Sequence, residues 1–460
     1  MIVPRSRLLF WVAAVVLPFS VVGAALPGLL PFSLLCIGLL VLLVVVDASL
    51  GYGGLRGLTL KLPEVVRLSK DRQGTIELRI KNEQQTSKRL RLGLAFPREI
   101  ESPNEDLQVT LPVGSEWSRV EWPCKPVKRG NYLLNRTHLE AASPLGFWAV
   151  RSAVPVKSEI RVYPNLLTER KSLAALFLNR GAFGLHTQRQ VGKGREFEKL
   201  RDYVHGDSYD EIHWKATAKR GHPVTKVFQI ERTQEIYVII DASRLSSRLF
   251  SGVRPPSAAV SSALSTVGEN SMEPTLERFI TAALVLGLAA EQQGDLFGLL
   301  TFTDRVGAFL RARSGQAHYS ACRDALYTLQ PQTVTPDFDD LAAFIRLRLR
   351  RRALLLFLTE LDDPVLAESF VRNMDLLCRQ HLLVVNMMKP PGTEPLFSRP
   401  DVDSMDDLYE RLGGHERWQK LRALEKVLKR RGIRFSLLEN EKMSAQLVSQ
   451  YLEVKRRQAL

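Results

Sequence analysis

The chain carries 64 Lys and Arg against 49 Asp and Glu over 460 residues, a formal net charge of +15. That length accommodates two or three domains with full cores, and 45% hydrophobic with 25% charged residues excludes a disordered or fibrous chain. The basic balance suits an acidic partner or an anionic membrane surface. Cys36, Cys124, Cys322 and Cys378 are scattered, without a CxxC pair, which excludes a zinc ribbon or a disulfide scaffold.

No charge interrupts Leu8 to Leu26 or Leu29 to Val46, and each run is about long enough to cross the ~30 Å hydrocarbon layer as a helix. Leu26-Pro27-Gly28 is too short to be anything but the tip of a hairpin, and Ala24-Ala25-Leu26 is a poor cleavage site for a signal peptide. Residues 1–50 are therefore expected to form a two-helix transmembrane hairpin in the lipid bilayer. Arg5 and Arg7 precede it, Arg56 and Lys61 follow it after Asp47, and the tip is uncharged. The positive-inside rule then puts both ends, and the bulk of the chain, on the cytoplasmic side of an inner membrane.

From Thr59 to Tyr163 hydrophobic residues recur with period two, as in Ile76, Leu78 and Ile80 or Leu90, Leu92 and Leu94. Residues 55–165 thus predict a small antiparallel all-β sandwich. Ser143-Pro144-Leu145-Gly146 is one of its expected turns.

Residues 166–235 read as a connector. Gly194-Arg195-Glu196-Phe197, Leu200-Arg201-Asp202-Tyr203-Val204-His205-Gly206-Asp207 and Ile212-His213-Trp214-Lys215-Ala216-Thr217-Ala218 mix charge, aromatics and glycine too irregularly for one amphipathic helix. From residue 236 onward strands alternate with helices. Strands are expected at 236–241, 296–303, 353–359, 382–388 and 435–438, and helices at 275–292, 316–329, 339–350, 365–380, 416–430 and 442–455. Runs such as Ala353-Leu354-Leu355-Leu356-Phe357-Leu358 suit a parallel sheet covered on both faces, hence an α/β doubly wound domain over 236–460. A Ser/Pro/Gly-rich stretch at 246–273 reads as a loose insertion. The arginines between Arg346 and Arg352 read as a solvated helix face leading into a strand.

The segment from Gly194 to Asp241 resembles the membrane-anchored family of domain-of-unknown-function group fifty-eight, which carries a von Willebrand factor A-like domain and is often linked to MoxR-type AAA+ ATPases. The resemblance implies a Mg²⁺ site above the sheet, built on an Asp-x-Ser-x-Ser turn, a Thr from a second loop and an Asp from a third. Hydroxyl and carboxylate oxygens suit that hard ion. In this chain the corresponding residues are Asp241, Ser243, Thr335 and Glu360, with Leu245 where the second serine belongs and Glu in place of Asp. Thr333 and Asp337 are alternatives in the second loop. The opposing reading makes Asp241 and Ser243 caps of the following turn.

Other chemistry is thinner. Gly192-Lys193-Gly194 lacks the spacing of a phosphate loop, and His205, His213 and His222 do not share a helical zinc face. No complete catalytic constellation is present, so an enzyme is not expected. In the connector Phe197, Tyr203 and Trp214 read as anchors, with Arg195, Glu196, Arg201, Gly206, Asp207 and Lys215 completing a segment that has a partner-facing edge. The leading expectation is a membrane-tethered protein-interaction adaptor serving a MoxR-type AAA+ ATPase and a client protein. The alternatives are a metal-dependent enzyme at the top of the sheet and a basic membrane-surface or nucleic-acid scaffold, with nucleic acid the least expected partner.

Overall fold

The computed structural model describes residues 1–167, 169, 174, 191–205, 208–229, 234–251, 272–398 and 404–456, with backbone alone at 191–199, 227–229 and 251. The chain divides into two compact units, Met1–Asn165 and Leu166–Leu460.

In the first unit a short strand β1 (Ile2–Pro4) leads into two apolar helices, α1 (Ser6–Ala25) and α2 (Pro27–Gly51), both long and apolar enough to cross a membrane. Leu9, Leu34 and Leu42 are each at least 60% exposed, so these faces have no protein partner among the described residues to account for their apolar character. Gly23 lets the helices approach. A Cβ there would meet Leu30 and Ser33 at 3.4 Å, the small-residue contact common between membrane helices.

Beyond the hairpin the strands of this unit form two sheets. They are β2 (Leu58–Lys61), β3 (Val65–Ser69), β4 (Gly74–Asn82), β5 (Lys88–Leu94), β6 (Ile100–Glu101), β7 (Leu107–Leu111), β8 (Trp117–Pro126), β9 (Gly130–Ala142) and β10 (Trp148–Tyr163). One sheet runs β1-β10-β9-β5-β7, with β3 also on β10, and the other runs β2-β4-β8-β6. Period-two patterning turns alternate residues inward, so Ile76, Leu78 and Ile80 of one sheet share a core with Leu90, Leu92 and Ile160 of the other. Trp122 is fully buried and satisfies its indole N–H on Ser102 Oγ at 2.9 Å. The body is not purely antiparallel as expected: β3 pairs parallel to β10, with Val66 opposite Ile160. Strand direction leaves no mark on a period-two pattern, so the alternation alone does not reveal it.

The second unit opens with β11 (Val191–Asp202) and β12 (Val224–Gln229), an antiparallel pair bracketing the short helix α3 (Trp214–Arg220). Its main sheet uses β13 (Glu235–Asp241), β14 (Leu296–Phe302), β15 (Val306–Arg313), β16 (Leu354–Leu358), β17 (Leu382–Met388) and β18 (Arg434–Leu438). Their order is β15-β14-β13-β16-β17-β18, all parallel except β15, which runs antiparallel to β14. Strand β15 is absent from the sequence reading because all but one of its residues are half-exposed or exposed, without the continuous apolar run of its neighbours.

Helices α4 (Thr275–Gln292), α5 (Gln316–Leu326), α6 (Phe338–Arg348), α7 (Pro364–Leu377), α8 (Met405–Arg430) and α9 (Met443–Arg456) cover both faces. Ile236, Val238 and Ile240 pack with α4, α5 and α9, while Tyr237 and Ile239 pack with α6 and α7. Both faces of β13 are thus dry, which is why its residues read as a continuous apolar run rather than an alternation. Helix α8 begins eleven residues earlier than the periodicity suggests, running through Gly413 and Gly414. Gly414 is required there, since a Cβ would lie 2.0 Å from the Gly392 carbonyl oxygen.

Candidate functional site

Among the described residues, buried polar groups cluster around Asp47, at the carboxyl end of the central sheet, and around Asp295, which accepts from Tyr451 and Lys455; the first two bear on the expected functions. The first is the base of the hairpin, in the first unit. Asp47 is fully buried in the last turns of α2 and accepts hydrogen bonds from Ser143 Oγ at 2.6 Å, Leu145 N at 2.8 Å and Phe147 N at 3.1 Å. Its donors are the β9–β10 turn. Ser143 Oγ in turn accepts from Trp148 N at 3.0 Å, and Trp148 Nε1 donates to Val44 O at 3.0 Å. Just ahead of the other helix Arg5 N donates to Phe147 O at 2.9 Å, and β1 pairs with β10 through Val3 and Ala149. Both ends of the hairpin are thereby stitched to one turn and one strand of the β body. Gly146, at φ +77°, is the turn residue that tolerates this path.

The second place is the carboxyl end of the central sheet. Strand β13 delivers Asp241, and β16 delivers Thr359 and Glu360 from the adjacent strand; all three are buried. Asp241 Oδ1 accepts from Ser243 N at 2.8 Å and Oδ2 accepts from Thr359 Oγ1 at 2.6 Å. Burial pushes the Asp241 carboxyl above its ordinary range, opposed by the bonds from Ser243 and Thr359. Glu360 Oε1 accepts from Met388 N at 3.2 Å, while Oε2 has no hydrogen-bond partner among the described residues. Burial pushes Glu360 well above the usual carboxylate range, with Asp362 adding to the rise and Arg248 opposing it. Asn386 on β17 is fully buried, with neither side-chain polar atom partnered among the described residues.

A divalent ion at this end of the sheet would draw on Asp241, Ser243, Thr335 and Glu360. The residues present do not fit such a shell. Leu245 offers no ligand where the second hydroxyl belongs, Glu360 reaches away to Met388 N on β17, and Thr335 is exposed, while Asp241 is held by Ser243 N and Thr359 Oγ1. Asp337, the alternative in that loop, caps α6 by accepting from Asp339 N at 2.9 Å and Asp340 N at 3.0 Å. Among the described residues no three His, Cys, Asp or Glu side chains converge on a metal position.

The connector residues fall into four groups. Gly206 and Asp207 lie outside the described residues, and Arg195, Glu196 and Phe197 are described only as backbone of β11. Arg201 and Tyr203 are half-buried, and Tyr203 stands 6.3 Å from the Tyr209 ring. Trp214 and Lys215 open α3 and are exposed, Trp214 by 68%, so this indole faces outward instead of anchoring the segment. His213 caps α3 through Nδ1, which accepts from Ala216 N at 3.0 Å.

Among the described residues of the second unit, Cys322 Sγ lies 3.6 Å from His318 Nε2, one turn apart on α5. Burial pushes the thiol up to about 12, which keeps it protonated and inert as a nucleophile at neutral pH. Sequence reasoning assigns no site role to Asp47 or Asn386. Asn386 carries a signal, a lone amide inside the apolar run Leu382–Met388; Asp47 carries none, because its partners lie about a hundred residues away.

Residues 199–395 match the family described as "Protein of unknown function DUF58", which bears out the family resemblance of the connector from residue 199 onward and of the strands beyond it. No curated protein matches the chain. Among solved structures, conserved hypothetical protein BatB from Bacteroides thetaiotaomicron is 14% identical, covering 49% of this chain and 99% of its own, with TM-score 0.29. An aerotolerance-related membrane protein from Bacteroides fragilis is 12% identical, covering 48% and 99%, with TM-score 0.29. Proximal thread matrix protein 1 from the mussel byssus is also 12% identical, covering 48% and 46%, with TM-score 0.25.

Proposed function

We propose that this chain is a membrane-tethered interaction adaptor: a two-pass hairpin holds a β body at the cytoplasmic face of the inner membrane, and a von Willebrand factor A-like α/β unit engages protein partners. The observation that carries the reading is the closure at Asp47. An apolar hairpin with exposed faces needs lipid around it, and its buried carboxylate is satisfied by the β9–β10 turn. A hairpin so fixed serves as a mount for the β body. The sheet order supports the α/β assignment, with one antiparallel edge strand on five parallel strands and Asp241 at the carboxyl end of the central one.

The partner we propose is a MoxR-type AAA+ ATPase, with a client protein passed between the two. The chain carries no phosphate loop, so energy for client assembly or maturation would come from that partner. Engagement is proposed to proceed without a bridging metal, because Leu245 supplies no ligand and Glu360 is turned to Met388 N on β17. The enzyme reading has less support: among the described residues the Cys322–His318 pair is a buried, protonated thiol beside an imidazole on α5.

The test is purification of the tagged full chain from its native membrane with ATP, with ADP and without nucleotide. An AAA+ ATPase recovered in a nucleotide-dependent way, and equally well by the Asp241→Ala chain as by the parent, is the expected result. Recovery of the chain alone contradicts the adaptor reading, and capture that requires Mg²⁺ on the chain and is lost in Asp241→Ala contradicts the metal-free one.

A further inference from the structure

The second unit holds a groove of about 800 Å³ between α7 and α8, opening at the loop after β16 where Leu361 and Asp362 lie. One wall is Pro364, Ala367 and Val371, at helical i, i+3 and i+7 on α7. The other is a stripe along α8, in which Leu421, Leu424 and Val427 form the apolar part and Arg417 and Lys420 the entrance. The stripe from Arg417 to Arg431 spans about 21 Å at 1.5 Å per residue. Val427 is 40% exposed, although its neighbours Leu421 and Leu428 are buried.

The rim is asymmetric in charge. Arg248, Arg417, Lys420 and Arg431 line it against only Asp362 and Glu368. Arg248 pairs with Asp362, Lys420 with Glu416 on its own helix, and Arg431 with Asp375, whereas Arg417 makes no ion pair among the described residues. An apolar floor of this length with cations along its edges suits a helix that has one apolar face and acidic flanks, the helix-in-groove mode of recognition.

We propose that this groove receives an acidic amphipathic α-helix of a protein partner. The proposal rests on the adaptor reading and adds the chemistry of the bound segment. Three apolar side chains of the incoming helix at i, i+3 and i+7 would lie between Ala367 and Val371 on one side and Leu424 and Val427 on the other. Its carboxylates would meet Arg417 and Lys420 at the mouth.

The test uses the full chain in lipid nanodiscs and fluorescent helical peptides of about 14 residues, the length of the α8 stripe. The peptides share leucines at i, i+3, i+7 and i+10 and differ only in carrying Glu, Gln or Lys elsewhere. The Glu peptide is expected to bind at least about tenfold more tightly than the Lys peptide and to weaken as salt is raised. Val427→Asp and Arg417→Glu, both at the surface, are each expected to weaken it by about tenfold or more while leaving the thermal unfolding of the chain unchanged. No binding of the Glu peptide, equal binding of all three, or binding indifferent to both substitutions overturns the proposal. So does a dimer in sedimentation that Val427→Asp dissolves, since a second copy would then be the occupant. ATPase capture that persists while the peptides fail removes this groove and leaves the adaptor standing; the reverse outcome separates them the other way.

Discussion

Asp47 at the base of the hairpin and Glu360 at the top of the central sheet are equally hidden from solvent, yet they are supplied with donors very differently. Asp47 receives three hydrogen bonds shared over both oxygens, while Glu360 receives one, at 3.2 Å, and its second oxygen has no partner among the described residues. Asp241 stands between them with two. Burial alone therefore does not decide what a carboxylate does; the donors around it do. A carboxylate with a full set of donors closes a structure, whereas one without them is pushed toward its neutral form and adds nothing while charged.

The largest effect that would break this contrast lies at the base. Asp47→Ala leaves Ser143 Oγ, Leu145 N and Phe147 N without their acceptor in a buried site, which is expected to destabilise the first unit by about 3 kcal/mol or more. Thermal unfolding in detergent measures it. Asp47→Asn, which keeps one acceptor oxygen, is expected to recover part of the loss; an Ala variant as stable as the parent would mean that the β9–β10 turn does not hold the hairpin.

A smaller effect sharpens the other side. Glu360 is raised above its ordinary value of 4.5, so the folded chain keeps a proton that the unfolded chain gives up. Stability from this group is then full below that value and is lost as pH rises toward the folded value, with a slope of up to about 1.4 kcal/mol per pH unit. Asp241 acts in the same direction from 3.8. Glu360→Gln keeps an acceptor for Met388 N and removes the proton, so its urea midpoint is expected to fall less steeply than the parent's between about pH 5 and pH 8. Parallel pH profiles would show that Glu360 is not held neutral.

How much of this was legible in the sequence depends on the range of the interactions. Thr275–Gln292 reads as a helix end to end because its register is local, and it holds with those bounds. The turn Ser143-Pro144-Leu145-Gly146 was legible as a turn, but its role as the donor set of Asp47 was not, since nothing in either segment encodes the other. The approach of α8 to the turn at Gly392 was likewise hidden. Gly414 is visible as a helix-weakening residue, and only the packed structure shows the carbonyl that requires it. At the top of the sheet Asp241, Ser243 and Glu360 were legible through the family resemblance. Thr359, which occupies Asp241, was not, because its hydroxyl gains that role only when β16 lies beside β13.

The central claim is that the β body is held on the cytoplasmic side at the foot of a two-pass hairpin. The direct measurement is labelling of intact cells with a membrane-impermeant maleimide, using single cysteines in an otherwise cysteine-free chain. One replaces Gly28 at the hairpin tip, and the other replaces Val113, which is 75% exposed on the β body. The account predicts that Gly28→Cys labels from outside and Val113→Cys labels only after the membrane is opened. Labelling of Val113→Cys in intact cells, or of both positions from the same side, would contradict it.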